Sequence, residues 1–546
     1  MSSSTKKQLR REQVAAKKAE QQKVAQQESK KMKIYTSIFC VILALMVLLV
    51  AVVGVNNSGL IEPRVTALKV GETEISASEL NMFYINSVTE FVNSAGNYLA
   101  LYGLRTDLSL EDQVSIDTVN TWDNYFLATA EDEIHYYYSL YNAALADENF
   151  TQLEEVLETI QDTMELNEAA YASSNTSLSD VLRNRYGKGV TKETYYRVLE
   201  VMTVASEYYT FYSNSLEFTA DDIAAKDLED PVANNLYSYS AYILYAKDYL
   251  EGGTEDEEGN VTYSDEENAA AQAACEAVAQ SLVNAGYSTT DALEAAVEEL
   301  PVSENENASS TMLKQEDVRA SSITANMKEW ITDPARQPGD ITYVERVSTI
   351  NGVTSVAGYN VIVFEGCNTN EFPLVNVRHI LVSFEGGTTD EATGTVTYSP
   401  AEKEAAKAKA QEIYDAWLAG DADADSFAAL AQEKSTDTGS ASNGGLYTDV
   451  YPDQMVANFN DWCFAEGRQI GDHGMVESEY GWHIIYLDSF SDTTYRSFII
   501  ENDMITAALS AWEQEVLTLN ALEEKNLSRI DRGLVLGNYI YYGYGN

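Results

Sequence analysis

The sequence predicts an α+β chain behind a single membrane-spanning helix, and three observations predict it. Ile34 to Val55 is 22 residues without a charge, enough to cross a bilayer core of about 30 Å. From Val65 to Glu229 apolar residues recur mainly at helical spacing. Beyond residue 236, short β-type runs alternate with helical patterns. At 546 residues and 45% hydrophobic content, the chain is long enough for three or more domains.

Residues 1–33 hold ten Lys/Arg against three Asp/Glu, within a chain of formal net charge −51, so the remainder carries −58. A basic flank before the apolar run puts the tail in the cytoplasm and everything after about Asn56 outside. The alternative is a cleaved signal peptide, whose apolar core is usually about 7–15 residues. So acidic a remainder excludes nucleic acid as a partner, because phosphate contacts need cationic side chains. Cys40 lies in the apolar run, and Cys275, Cys367 and Cys463 are an odd number outside it, so no disulfide framework is implied and each reads as a small core residue.

Val65–Val70 and Thr73–Ile75 around Gly71-Glu72 predict a short hairpin. Ser76-Ala77-Ser78-Glu79 is a capping box, and Leu80, Phe83, Tyr84 and Val88 give the helix behind it an apolar face. Further helices are predicted at 121–146, 148–170, 177–186 and 192–218, rich in tyrosines that read mostly as half-buried packing residues. At the other end, residues 494–527 read as one long helix with Phe498, Ile505, Leu509, Trp512 and Leu517 among its apolar positions. Tyr539 to Asn546 is unassigned.

The most informative stretch runs from Val377 to Leu487. It opens on Val377-Arg378-His379-Ile380-Leu381-Val382 and closes on Tyr480-Gly481-Trp482-His483-Ile484-Ile485-Tyr486, two strand patterns holding two of the four histidines. Between them Ser399-Pro400-Ala401-Glu402 starts a helix whose Ala406, Ala410, Ile413 and Trp417 share one face. A second helix, Ser426–Ala431, precedes Asp437, Gly444-Gly445-Leu446, Met455, Phe459, Phe464 and Gly467-Arg468-Gln469-Ile470-Gly471. This ordered set resembles a parvulin-type peptidyl-prolyl isomerase domain. With the helical segment before it, the layout resembles PrsA/SurA-type extracytoplasmic foldases, in which a C-terminal helix returns to pack on the N-terminal chaperone segment.

Rotation about an X–Pro amide faces a barrier of about 18–20 kcal/mol. A catalyst needs an apolar pocket for the proline ring and polar groups that favour the twisted amide. The resemblance makes His379 and His483 the paired histidines beneath that amide, and Asp437 stands where the family has cysteine or aspartate. It makes Leu446, Met455, Phe459 and Phe464 the pocket, and Tyr480, where some relatives carry serine, a further substrate contact. Gly444-Gly445-Leu446-Tyr447 departs from the Gly-Gly-Asp-Leu-Gly of many relatives. The competing reading makes the histidines a hydrogen-bonded core pair, with Met455 and Phe459 as ordinary core.

An internal repeat appears when Ser240–Gly366 is laid over this stretch. Val261-Thr262-Tyr263-Ser264 matches Val396-Thr397-Tyr398-Ser399, and Arg336-Gln337-Pro338-Gly339-Asp340 matches Arg468-Gln469-Ile470-Gly471-Asp472. Tyr242-Ile243-Leu244-Tyr245 laid on His379-Ile380-Leu381-Val382, and Tyr359-Asn360 on Trp482-His483, would put Tyr242 and Asn360 where the later copy has its histidines, with Asn305 in the loop that matches Asp437. Asp421, Asp423 and Asp425 have calcium-loop spacing but lack the glycine and glutamate such a loop needs.

The organisation expected is therefore a basic tail (1–33), a membrane anchor (34–55), a mostly α-helical SurA-N-like chaperone domain (65–235), a degenerate parvulin-like domain (236–368), a parvulin domain (374–490), and a C-terminal helix and tail (491–546). The expected activity is isomerisation of X–Pro bonds in unfolded or newly exported polypeptides at the outer face of the cell membrane, with no cofactor and no metal. The alternative is a non-catalytic holdase or scaffold whose parvulin copies only bind. Oligomeric state stays open.

Overall fold

A computed structural model describes residues 36–55, 58–173, 176–187, 189–255, 261–300, 309–350, 353–390, 394–530, 532 and 534–537. The basic tail, Asn305 and the Tyr539–Asn546 end lie outside the described residues. Helix α1, Thr36–Val55, is long and apolar enough to cross a membrane. The chain divides into two compact units, Met1–Glu217 with Ala507–Asn546, and Phe218–Thr506.

In the first unit, β1 (Thr66–Val70) and β2 (Thr73–Ser76) form the predicted hairpin, and α2 (Ala77–Ala95) starts on the predicted capping box. The Ser76 amide donates to Glu79 Oε2 at 2.6 Å and the Glu79 amide to Ser76 Oγ at 3.2 Å. α3 (Trp122–Ala146), α4 (Leu153–Ser173), α5 (Leu178–Tyr186) and α6 (Lys192–Ser215) follow close to the predicted ranges. Their shared core includes Leu80, Phe83, Tyr84, Val88, Trp122 and Tyr138. Tyr84 and Tyr138 are deeper than the half-buried role expected of them, and each hydroxyl donates to a buried carboxylate, Asp123 at 2.7 Å and Glu79 at 2.6 Å.

The long C-terminal helix ends earlier than its apolar spacing suggested. In chain order it is α14 (Tyr495–Leu519), and Leu522–Glu524 turns into a strand, β15, that pairs with β1. Two forces end the helix. His135 Nε2 lies 3.1 Å from Leu517 O and 3.0 Å from Asn520 O, serving the orphan carbonyls of the last turn. The open edge of β1 then offers backbone partners that a further helical turn would leave unused. Trp512 stacks on Tyr212 at 4.0 Å and Val516 is buried against Leu140 and Ala205. Beyond β15, Arg532 donates to Asp123, a carboxylate with 0% exposure.

The second unit holds α7 (Ala220–Asp227) and two four-stranded antiparallel sheets. The first is built from β3 (Leu236–Tyr245), β6 (Thr311–Arg319), β7 (Ile341–Ile350) and β8 (Val353–Asn368), in the order β6-β3-β8-β7. A small hairpin, β4 (Thr254–Glu255) with β5 (Val261–Thr262), leads into α8 (Asp265–Ala285) and α9 (Thr290–Glu298), which pack on one face of that sheet. α10 (Ala325–Ile331) packs on the other. The second sheet uses β9 (Pro373–Ser383), β12 (Leu446–Val450), β13 (His473–Glu477) and β14 (Gly481–Thr494), in the order β12-β9-β14-β13. Its hairpin is β10 (Thr388–Thr389) with β11 (Val396–Thr397), its one face takes α11 (Pro400–Leu418) and α12 (Ala424–Lys434), and its other takes α13 (Ala457–Phe464).

The two sheets correspond in detail as well as in order. Glu267 and Glu402 each cap their helix and each accept a glycine amide, Gly253 and Gly387, at 2.9 Å. Asp317 and Asp449 hold φ of 48° and 52° in the matching edge strands. Arg336 lies 4.2 Å over Trp330 and Arg468 lies 4.1 Å over Trp462. The ladders also correct the sequence alignment. Ile243 faces Asn360 just as Leu381 faces His483, so Ala241, not Tyr242, occupies the His379 position. The Ile-Leu string shared by the two strands invited a slip of one residue, and such a slip exchanges the two faces of a strand. Tyr242 packs toward α8 instead. Cys275 and Cys463 are buried as expected, whereas Cys367 is exposed near the end of β8.

Removing Arg532 takes the guanidinium away from a fully buried carboxylate, which costs about 3–5 kcal/mol. Arg532→Ala is expected to lower the unfolding midpoint of the first unit, with Arg532→Lys recovering part of it, both read by denaturant titration. An unchanged midpoint in Arg532→Ala would contradict this packing.

Candidate active site

The site grows out of the β9–β14 ladder. His379 and Leu381 lie on the same face of β9, and His483 stands opposite Leu381 on the neighbouring strand. The imidazoles therefore meet across the sheet, Nδ1 to Nδ1 at 3.2 Å, with ring centroids 5.4 Å apart and planes 17° from parallel. The loop after α12 is tied to β9 by Ser435 Oγ accepting from the Leu381 amide at 3.1 Å and by the Thr436 amide donating to Leu381 O at 2.8 Å. That brings Asp437 Oδ2 to 2.8 Å from His379 Nε2.

The double glycine closes the loop against the same strand. The His379 amide donates to Gly445 O at 2.8 Å, and a Cβ on Gly445, at φ +71°, would lie 2.2 Å from His379 O. Only glycine lets the two backbones approach so closely. The departure at Leu446-Tyr447 leaves this contact intact. β12 starts at once, and it delivers the Tyr447 hydroxyl to Asp437 Oδ2 at 3.0 Å.

The protons follow from the geometry. Asp437 Oδ2 accepts from Ser440 Oγ, His379 Nε2 and Tyr447, and Oδ1 accepts from the Gly439 amide at 3.0 Å. Burial pushes this carboxyl up, but the hydrogen bonds of Ser440, His379, Gly439 and Tyr447 outweigh it and hold the group well below the usual carboxylate range. An ionised Asp437 has no proton to give, so His379 carries its proton on Nε2 and accepts at Nδ1. His483 then donates from Nδ1 and accepts at Nε2 from Ser478 Oγ, 2.8 Å away. Burial, opposed by Asp437, holds His379 below its ordinary value, and burial with the neighbouring His379 brings His483 down to about 4. Both rings are neutral at physiological pH.

Of the pocket residues expected from the sequence, Phe459 sits edge-on to both imidazoles, at 5.5 Å from His379 and 5.4 Å from His483. Met455 packs in the same apolar cluster, whereas Leu446, paired with Arg378, lies on the other face of the sheet from His379 and does not join the expected pocket. Phe464 also belongs to that cluster but faces Phe372 at 6.1 Å, at the linker end of the lobe. Tyr480, expected as a substrate contact, is 59% exposed, and the hydroxyl on the histidine pair comes from Ser478. Ser440, Tyr447 and Ser478 were missed. Ser478 lies in the turn between β13 and β14, and a serine among polar turn residues gives no signal of its own. Cys463, beside Phe459 in the cluster, has its thiol pushed up to about 12 by burial, which makes it packing rather than a nucleophile. Among the described residues no group of side chains could hold a metal ion.

A neutral histidine pair on adjacent strands, bonded at one end to a carboxylate and flanked by an aromatic edge, defines a small α/β domain with a polar line under an apolar wall. Residues 360–489 match the model of the PPIC-type PPIASE domain, so this lobe is a parvulin-type peptidyl-prolyl isomerase domain. Over 115 residues the chain is 35% identical to Foldase protein PrsA 1 of Listeria innocua serovar 6a, covering 21% of this chain and 30% of that protein. Over 155 residues it is 30% identical to Chaperone SurA of Pseudomonas fluorescens, covering 28% and 29%. The chain thus spans less than a third of the length of these curated relatives. Among solved structures, peptidylprolyl isomerase (PrsA) from Bacillus anthracis aligns at 22% identity over 27% of this chain and 58% of that one, with a TM-score of 0.17.

The depressed imidazoles set a pH window for stability. Unfolded histidine takes up a proton near 6.5 while folded His483 resists until about 4. The stability this provides is complete above about 6.5 and is lost as pH falls toward 4. Asp437, held low, acts in a separate window, below the 3.8 of an ordinary aspartate. The unfolding midpoint is expected to fall between pH 7 and pH 5, and to fall less in His483→Gln. Equal pH dependence in the two proteins would contradict the neutral pair.

Proposed function

We propose that this chain is a membrane-anchored extracytoplasmic peptidyl-prolyl isomerase and foldase, acting on exported polypeptides through the lobe at 374–490. The observation that carries the reading is the continuous line Ser478–His483–His379–Asp437 under the edge of Phe459. Such a site suits rotation about an amide better than bond cleavage. The carboxylate oxygen facing the pair is already taken by donors, and neither ring holds a spare proton to exchange at neutral pH. What the line offers is fixed dipoles, which stabilise a twisted amide whose charge differs from the planar one. Phe459, with Met455, supplies the apolar wall for the proline ring.

The rest of the chain fits the same reading. Helix α1 acts as the anchor, with the basic tail inside and everything after it outside. Residues 65–235 serve as the chaperone-like domain, and 491–546 close back upon it. Residues 236–368 form a second parvulin-like lobe with Ala241 and Asn360 at the histidine positions, so that lobe lacks the isomerase line.

Accelerated cis-to-trans conversion of short X–Pro peptides by the full chain in detergent tests this. Asp437→Ala is expected to lower kcat/KM by about a hundredfold, the scale of one lost electrostatic group, with circular dichroism at the assay temperature confirming that the lobe is still folded. No acceleration by the parent chain, with aggregation of an unfolded client still suppressed, would hand the function to a binding-only holdase.

A further inference from the structure

The earlier lobe keeps the apolar wall of the later one and replaces its polar line with donors. Met327 and Ile323 in the earlier lobe take the places of Phe459 and Met455, and both are buried beside Val344 and Leu313. On β7, Val344 faces Asn360 as Val476 faces His483, and two residues further on Arg346 stands where the later lobe has Ser478. Arg346 donates to Asn360 Oδ1 at 3.2 Å and to the Tyr245 hydroxyl at 3.5 Å, and its guanidinium lies 4.8 Å over the Tyr245 ring. Lys247 Nζ is 5.5 Å from the same ring.

Three features make this cluster more than a filled gap. In a chain of net charge −51, two cations share one aromatic ring, and the hydrogen bonds of Arg346 go to an amide oxygen and a phenol rather than to a carboxylate. Asn360 is fully buried, and among the described residues its Nδ2 has no hydrogen-bond partner. Arg346 Nε is likewise buried without a partner there. Orphan donors in a low-dielectric site are costly, and an acceptor with two oxygens matches a guanidinium fork.

We propose that Arg346 of the earlier lobe binds the carboxylate of a polypeptide, with Asn360 and Tyr245 holding the guanidinium. The ligand is an acidic or carboxylate-terminated peptide segment without any requirement for proline. The inference does not depend on catalysis by the later lobe, so either can fail alone.

The test uses the full chain in nanodiscs and a fluorescein-labelled, leucine-rich, proline-free decapeptide in three forms: free C-terminal carboxylate, C-terminal amide, and amide with one internal glutamate. Fluorescence anisotropy is expected to show a carboxylate-bearing form binding at least about tenfold tighter than the plain amide. The two acidic forms distinguish a chain end from a side chain as the source. Arg346→Gln is expected to abolish the preference, Arg346→Lys to keep part of it, and Asp437→Asn to leave it unchanged, with circular dichroism confirming that each variant folds. Equal binding of acid and amide, no binding of any form, or a preference that survives in folded Arg346→Gln or disappears in Asp437→Asn would overturn the proposal.

Discussion

The ionised carboxylate of Asp437 is the constraint on which the later lobe depends. It fixes which nitrogen of His379 carries a proton, and His379 in turn fixes His483, which fixes the direction of the Ser478 hydroxyl. Four groups from β9, β14, the loop after α12 and the end of β13 thus point one way because one of them is charged. Burial alone would favour a neutral acid there. Ser440, Tyr447, His379 and the Gly439 amide reverse that preference, so the loop that supplies the charge also supplies two of the four donors that stabilise it.

The two sheet lobes separate what makes the scaffold from what makes the chemistry. Capped helices, the arginine over tryptophan and the aspartates at positive φ recur in both, and these are the parts that hold strands and helices in register. The residues on the face away from the paired helices are the ones that differ: Ala241 for His379, Asn360 for His483, Arg346 for Ser478. A scaffold fixed by packing and caps can exchange the polar groups on one face at little cost, provided their hydrogen bonds are met.

Much of this was legible because it rests on local signals. Capping boxes at Ser76 and Ser399, helical spacing in α11 and the paired histidine strands are written within a few residues of each element. What was illegible depends on contacts between distant residues. Helix α14 stops at Leu519 because His135 and the edge of β1 compete for the chain there, neither of which is near it in sequence. The one-residue slip at Tyr242 arose because Ile-Leu strings look alike in either register, and only the ladder tells which face they occupy. Ser478 was illegible because a serine in a polar turn carries no mark of the histidine, five residues on, toward which the fold turns it.

The most direct test of the charged carboxylate and the neutral pair is a long-range proton–nitrogen correlation spectrum of the imidazoles in the folded chain at pH 7. Two neutral rings of opposite tautomer are expected, His379 protonated at Nε2 and His483 at Nδ1. A doubly protonated ring at either position, or a shared tautomer, would contradict this assignment.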